Sequence, residues 1–175
     1  MSKKIILIAG PTASGKSKLA IEIAKKIKGE IINADSMQVY KNFSILSSRP
    51  SKTDLKKIKH HLYGFQAAKK HFSTGAWLTL VKKQINLCLK NKKIPILVGG
   101  TGLYFEAITK GMSKIPNINF KARDKIRILQ KKVGQRKFYE KLLKLDSLVK
   151  KNIEPFDTQR SIRAYEVKKF TKKSI

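Results

Sequence analysis

Apolar residues gather first in a five-residue run, Ile5-Ile6-Leu7-Ile8-Ala9, and then recur at helical spacing through Leu19, Ile23 and Ile27. A short continuous apolar run ending at a glycine reads as a buried strand, and recurrence every three to four residues reads as one face of a helix. Gly29 supplies a C-cap, after which Glu30-Ile31-Ile32-Asn33-Ala34 predicts a second short buried strand that ends at Asp35-Ser36. From Lys41 to Phe65 the chain is polar and broken by Pro50 and Gly64, which predicts loop with one helical turn from Asp54. Ser73 or Thr74 can cap a long helix reaching about Asn91, with Trp77, Leu80, Val81, Ile85 and Cys88 at helical spacing. Cys88 reads there as core. Ile94 to Val98 is the third apolar run; it enters Gly99-Gly100-Thr101-Gly102, and Leu103 to Lys110 predicts a short helix.

The pattern then changes. Pro116 marks a linker, Asn119 opens a basic helix with Ile126, Leu129 and Val133 on its apolar face, and Gly134 ends it. A second helix spans about Arg136 to Leu145, and a third, capped by Asp157, reaches about Phe170. Strands alternating with helices predict an α/β fold around a parallel sheet. The organisation expected is a core at 1–114, a basic helical insertion at 115–156 and a helix returning to the core at 157–175. Three strands fall short of the roughly 5–6 of a typical sheet, so the sheet is expected to be incomplete.

Composition narrows the setting. No apolar run approaches the ~20 residues of a membrane span, and the start is too short for a signal peptide. A single cysteine excludes an internal disulfide and a thiolate zinc cluster. A cytoplasmic protein is expected. The net charge of +29 points to a polyanionic partner, although diffuse lysine enrichment also arises from codon bias. Position says more than the total. Five of the six arginines (Arg123, Arg127, Arg136, Arg160 and Arg163) lie in the last third, and the arginine fork suits phosphate and base contacts better than lysine does.

The candidate chemistry starts at the first strand's end, with Gly10-Pro11-Thr12-Ala13-Ser14-Gly15-Lys16-Ser17. The spacing G-x-x-x-x-G-K-[ST] between a strand and a helix is that of a phosphate loop. Gly10 and Gly15 permit backbone conformations that aim successive N–H groups into one concavity. The helix N-terminus favours an anion, Lys16 adds a point charge, and the Ser17 hydroxyl can ligate Mg2+. The loop is expected to bind a di- or triphosphate. In a parallel sheet the other functional positions are the remaining strand ends. These offer Asp35-Ser36 and Gly99-Gly100-Thr101, so Asp35 is the one strand-end carboxylate. It would assist magnesium, act on a substrate, or cap a turn. The tandem His60-His61 reads as packing or a loop hydrogen bond, because adjacent side chains point apart.

Several blocks together resemble the bacterial tRNA dimethylallyltransferases, the tRNA isopentenyltransferase family. They are the phosphate loop at 10–17, Asn33-Ala34-Asp35-Ser36-Met37-Gln38-Val39-Tyr40, His60-His61-Leu62, Phe72-Ser73 and Leu97-Val98-Gly99-Gly100-Thr101-Gly102-Leu103-Tyr104-Phe105. The last is Asp157-x-Gln159-Arg160-x-x-Arg163-Ala164-x-Glu166-Val167. Where relatives have Gly-Thr-Ala-Lys-Pro, this chain has Leu46-Ser47-Ser48-Arg49-Pro50. Relatives continue past the position of Val167, so the chain is expected to lack a C-terminal part.

The resemblance implies a P-loop nucleoside-triphosphate-hydrolase-like sheet turned to alkyl transfer. Dimethylallyl diphosphate would lie on the phosphate loop with Mg2+. The exocyclic amine of the adenine 3′ to the anticodon, in tRNAs reading codons that begin with U, would attack it. Asp35 would accept the amine proton, and Thr101 would hydrogen-bond the adenine or its nucleotide; both are candidate catalytic residues. Contacts to tRNA would come from Asp35, Ser36, Met37, Gln38, Thr101, Arg123, Gln159, Arg160, Ser161, Ile162 and Arg163. The basic insertion would grip the anticodon arm, and the protein would act as a monomer. Two other readings stay open: a small P-loop kinase of a nucleotide or metabolite, and an inactive fragment that binds tRNA or a nucleotide.

Overall fold

A computed structural model describes residues 4–175 except His71, Lys114, Pro116 and Asn117. The linker expected at Pro116 therefore lies outside the described residues. The chain divides into two compact units, Met1–Met112 and Ser113–Ile175.

The first unit is a parallel four-stranded sheet with helices. Its elements are β1 (Ile6–Ala9), α1 (Lys16–Ile27), β2 (Gly29–Asn33), α2 (Lys52–Lys57), β3 (His60–His61), α3 (Thr74–Lys90), β4 (Ile94–Gly99) and α4 (Gly102–Thr109). The strand order is β1-β4-β2-β3, with Ile6 opposite Ile96 and Ile31 opposite both Ile96 and His60. The expected α/β parallel sheet is present. It has one strand more than expected: β3, two histidines long, falls in the segment expected to be loop. Too short and polar to form an apolar run, it gains its strand pairing from β2 alone.

Alternation along β2 and β4 sends side chains to both faces, as buried parallel strands require. Ile31, Ile96 and Val98 pack with Ala20 and Ala24 of α1, while Ile32, Ala34 and Leu97 pack with Trp77, Val81, Ile85 and Cys88 of α3 and Tyr104 of α4. The helix α1 turns Ala20 and Ala24 inward, with Ile23 and Ile27 beside them, and leaves Leu19 exposed. The four-residue spacing of Leu19, Ile23 and Ile27 runs beside a second stripe of small alanines, and it is the alanines that are wholly buried. Trp77 is fully buried, stacks on Tyr104 with ring centroids 4.1 Å apart, and donates its indole N–H to the Asn33 carbonyl at 2.9 Å.

The second unit holds α5 (Phe120–Val133), α6 (Gln135–Leu145), a 3₁₀ turn at Ser147–Lys151 and α7 (Thr158–Thr171). Asn119 and Asp157 cap α5 and α7 as expected, their side chains accepting the backbone N–H of Lys121 and Arg160. Phe138, Leu142, Ile126, Val149, Ile162 and Ala164 form its interior. The expected boundaries at 114 and 156 thus give way to one division, because α7 packs against α5 and α6 and clusters with them.

Candidate functional site

The phosphate loop uses the freedom of one of its two glycines, Gly15, whereas Gly10 has no positive φ. Gly15 stands at φ +81° at the N-cap of α1, Ala13 also has positive φ, and Leu19 N–H bonds the Gly15 carbonyl to start the helix. A left-handed residue at this point costs glycine little. Gly10 N–H donates to the Gly99 carbonyl at 3.3 Å, tying the loop to the end of β4. Lys16 lies across the loop, its Nζ donating to the Pro11 carbonyl at 2.7 Å.

Beside the loop, the ends of β2 and β4 are joined by polar contacts. Thr101 Oγ1 accepts the Ser36 N–H at 2.9 Å and donates to Ser36 Oγ at 3.2 Å, and Thr101 N–H reaches the Ala34 carbonyl. Asp35 Oδ1 accepts the Met37 N–H at 2.9 Å. Gln38 donates to the Ser47 and Ser48 carbonyls, which brings the departing segment Leu46–Pro50 against the site. Met37 is exposed. The Tyr104 phenol is pushed up to about 12 by burial, with Tyr40 and the Asp35 charge adding to it, and the Tyr63 phenol is raised by burial and by Asp35. Both phenols therefore remain neutral beside the carboxylate.

The result is one cavity of about 320 Å³, lined by Thr12 to Lys18 of the loop together with Asp35, Gln38, Ser47 and Ser48. A hydroxyl (Ser17) and a carboxylate (Asp35) facing the same space are hard oxygen donors of the kind that suit Mg2+. Pro11 and Gly10 belong to the loop without lining this cavity. Loop donors, a lysine and a carboxylate in one cleft can hold a phosphate chain at one end and accept a proton at the other.

The second unit treats its expected RNA-contacting residues unequally. Arg160 and Gln159 are exposed, with Arg160 Nε 3.5 Å from Asp157. Arg123 and Arg163 are half-buried, and both donate to Oε2 of Glu166, at 3.2 and 3.1 Å. Glu166 is only 1% exposed, so these two arginines neutralise an interior charge. Ser161 and Ile162 are interior as well: Ser161 accepts from Gln135, and Ile162 packs with Ile126 and Phe138. The expectation of a continuous contact segment over 159–163 is corrected, because helical periodicity turns its middle residues inward.

One organising residue belongs to no motif of the phosphate site. Asn33 accepts the Asp35 N–H through Oδ1 and donates through Nδ2 to the Asp35 and Leu62 carbonyls, at 2.9–3.0 Å. A fully buried amide, it fixes the turn that presents Asp35. In the sequence it is marked as a polar residue closing an apolar strand just ahead of the strand-end acid, and as the first residue of the block Asn33 to Tyr40.

Comparison with known proteins agrees with this arrangement. A family model described as IPP transferase matches residues 38–175. A protein of Pelagibacter ubique called tRNA dimethylallyltransferase is 62% identical over 98% of this chain and 55% of its own length. A protein of the same name from Rickettsia massiliae is 46% identical, over 99% of this chain and 48% of its own. Among solved structures, a eukaryotic dimethylallyltransferase acting on tRNA aligns with a TM-score of 0.80 at 30% identity, covering 95% of this chain and 42% of that one. The tRNA isopentenylpyrophosphate transferase of Bacillus halodurans gives 0.64 at 31%, covering 97% and 56%. The chain spans about half the length of the curated relatives it matches. With the model matched from Gln38 to the last residue and the phosphate loop and Asp35 facing one cavity, the chain belongs to the IPP transferase family.

Proposed function

We propose that this chain carries the donor site and the acceptor carboxylate of a tRNA dimethylallyltransferase. The observation that carries the reading is the shared cavity: the phosphate loop and Asp35 face the same space at the strand ends. Dimethylallyl diphosphate would lie with its phosphates on the backbone N–H groups of 12–17, and Lys16 would leave the Pro11 carbonyl for a terminal phosphate oxygen. Ser17, with Asp35 nearby, would hold Mg2+, which supplies charge neutralisation for the diphosphate when bound.

The acceptor is the exocyclic amine of an adenine beside the anticodon, and reaching it means taking the base out of the stack. The nitrogen forms a bond to the allylic carbon while the carbon–oxygen bond to diphosphate breaks, and the diphosphate leaves with the electron pair. The amine proton passes to Asp35, held in place by Met37 N–H and Asn33. Thr101, already bonded to Ser36, is the hydroxyl at hand for the nucleotide. Exposed Arg160 and Gln159 and the basic surface of α5 and α6 supply the RNA phosphate contacts. The names of the relatives support the substrate class, and cytoplasmic tRNA is the expected pool.

The test is single-turnover transfer from labelled dimethylallyl diphosphate to tRNA, with an ATPase assay in parallel. Label in tRNA without ATP turnover supports the reading. ATP turnover without label would replace it by a kinase.

A further inference from the structure

At the β3 side of the sheet, away from the phosphate loop, three donor groups of different chemistry converge. Glu30 stands on β2, His61 on β3 and Cys88 on the inward face of α3. Their ligand atoms all lie within 4.8 Å of one another. His61 Nε2 is 2.6 Å from Glu30 Oε2, and Cys88 Sγ is 3.5 Å from the same oxygen. Cys88 is wholly buried within the apolar cluster that includes Ile32, Val81 and Ile85, and Glu30 is 8% exposed. The neighbouring His60 takes no part, since its Nδ1 meets the Ile58 carbonyl at 2.7 Å and its ring packs edge-on to Tyr63.

We propose that Glu30, His61 and Cys88 form a buried structural site for a divalent cation of the zinc class. The donor set decides the class. Thiolate sulfur and imidazole nitrogen select zinc or a related transition metal over magnesium, which takes oxygen donors. The dimensions are close to those needed. Bonds of ~2.0–2.1 Å to N and O and ~2.3 Å to S at tetrahedral angles place O and S about 3.5 Å apart, and N and O about 3.3 Å apart. The first spacing is already present, and the second requires His61 and Glu30 to part by about 0.7 Å. Binding displaces the thiol proton and the proton shared by His61 and Glu30. Water, or the second Glu30 oxygen, completes the shell. Because the ligands come from β2, β3 and α3, the ion would pin the two-residue edge strand to the sheet. Nothing in this triad depends on prenyl transfer.

Cobalt is the probe, because a cobalt–thiolate bond gives a charge-transfer band in the near ultraviolet and this chain has one cysteine. The chelator-treated 175-residue protein is titrated with Co2+, and its melting temperature is followed separately with Zn2+. Expected are a charge-transfer band saturating at one equivalent and bleached by Zn2+, and a saturable rise in Tm. Cys88→Ser should lose the band, His60→Gln should keep it, and Glu30→Gln should bind Co2+ at least ~10-fold more weakly, since even changes to groups bonded to a ligand cost that much. Should Cys88→Ser fail to fold, the band in the parent still identifies the cysteine. No band with excess Co2+, or no Tm response to Zn2+, would overturn the proposal and leave a hydrogen-bonded buried triad.

Discussion

Gly99 approaches Ala34 so closely that a Cβ on Gly99 would stand 2.1 Å from both the carbonyl carbon and the carbonyl oxygen of Ala34. The ends of β4 and β2 can be this near only without a side chain, and their nearness lets Thr101 reach both Ala34 and Ser36. Since the obstacle is backbone, relief means moving a strand. Gly99→Ala should destabilise the first unit by at least the ~1–3 kcal/mol usual for overpacking. A lowered urea midpoint at unchanged slope is the expected result, and an unchanged midpoint would contradict the close approach.

Lys16 Nζ donates to the Pro11 carbonyl, so an anion on the loop must compete with that carbonyl for the ammonium. A hydrogen bond from the Lys16 ammonium to a phosphate oxygen joins two charged groups and is worth ~1.5–3 kcal/mol, which corresponds to ~10–150-fold in affinity. Lys16→Ala should weaken binding of inorganic diphosphate and of dimethylallyl diphosphate by that factor in calorimetry. Equal affinity in parent and variant would remove Lys16 from the anion site.

Most of the fold was legible because its signals are local. Apolar runs marked β1, β2 and β4, and capping residues marked α3, α5 and α7 almost to the residue. What escaped depends on partners distant in sequence. His60-His61 becomes a strand only beside Ile31 and Ile32. The inward turn of Ser161 and Ile162 depends on α5 and α6. The site divides the same way: the phosphate loop and Asp35 are spelled out by spacing and strand ends, whereas the Asn33 bracket and the Arg123–Glu166–Arg163 cluster exist only once the chain is folded. Glycine, lysine and arginine are easily noticed in a sequence, but whether an arginine faces RNA or a buried glutamate is a packing question.

That question separates the arginines experimentally. Arg163→Ala leaves Glu166 with one cation and should destabilise the second unit, in the direction of the ~3–5 kcal/mol typical when a buried pair is broken. Arg160 is mostly exposed, and Arg160→Ala should leave the melting curve within about 0.5 kcal/mol of the parent. It should instead weaken tRNA binding and reduce the salt slope by about 0.9 per lost phosphate contact. Denaturation and salt-dependent binding of both variants decide it, and a thermally silent Arg163→Ala would reverse the assignment.

Acidification should weaken the first unit through His60. Burial holds the His60 imidazole below its ordinary 6.5, outweighing the Ile58 carbonyl and the Asp54 charge, which act the other way. The unfolded chain therefore binds the proton at higher pH than the folded one, and stability rises with pH across that interval. The contribution is complete above about pH 6.5 and is lost as pH falls through the folded value. Urea midpoints compared between about pH 7.5 and about pH 5, on either side of the ordinary histidine range, should fall more in the parent than in His60→Leu. Parallel curves for the two would show that His60 does not titrate differently on folding.

Asp35 is the sharpest test of the chemistry. Its Oδ1 is bonded to Met37 N–H, its backbone is bracketed by Asn33, and it shares a cavity with Lys16 and Ser17. Asparagine has the same shape and can still accept the Met37 N–H through its amide oxygen, so Asp35→Asn should keep the fold and the affinity for tRNA. It cannot take a proton from an attacking amine. General-base assistance is worth ~10²–10⁴-fold, so single-turnover transfer should fall by that range while the tRNA dissociation constant stays within about twofold of the parent's. Transfer that survives the substitution would remove Asp35 from proton transfer and leave it a turn-capping residue. A joint loss of transfer and tRNA binding would assign it to RNA recognition instead. Because the carboxylate is replaced by a neutral group of equal size, a change confined to the rate can only come from its charge or its proton.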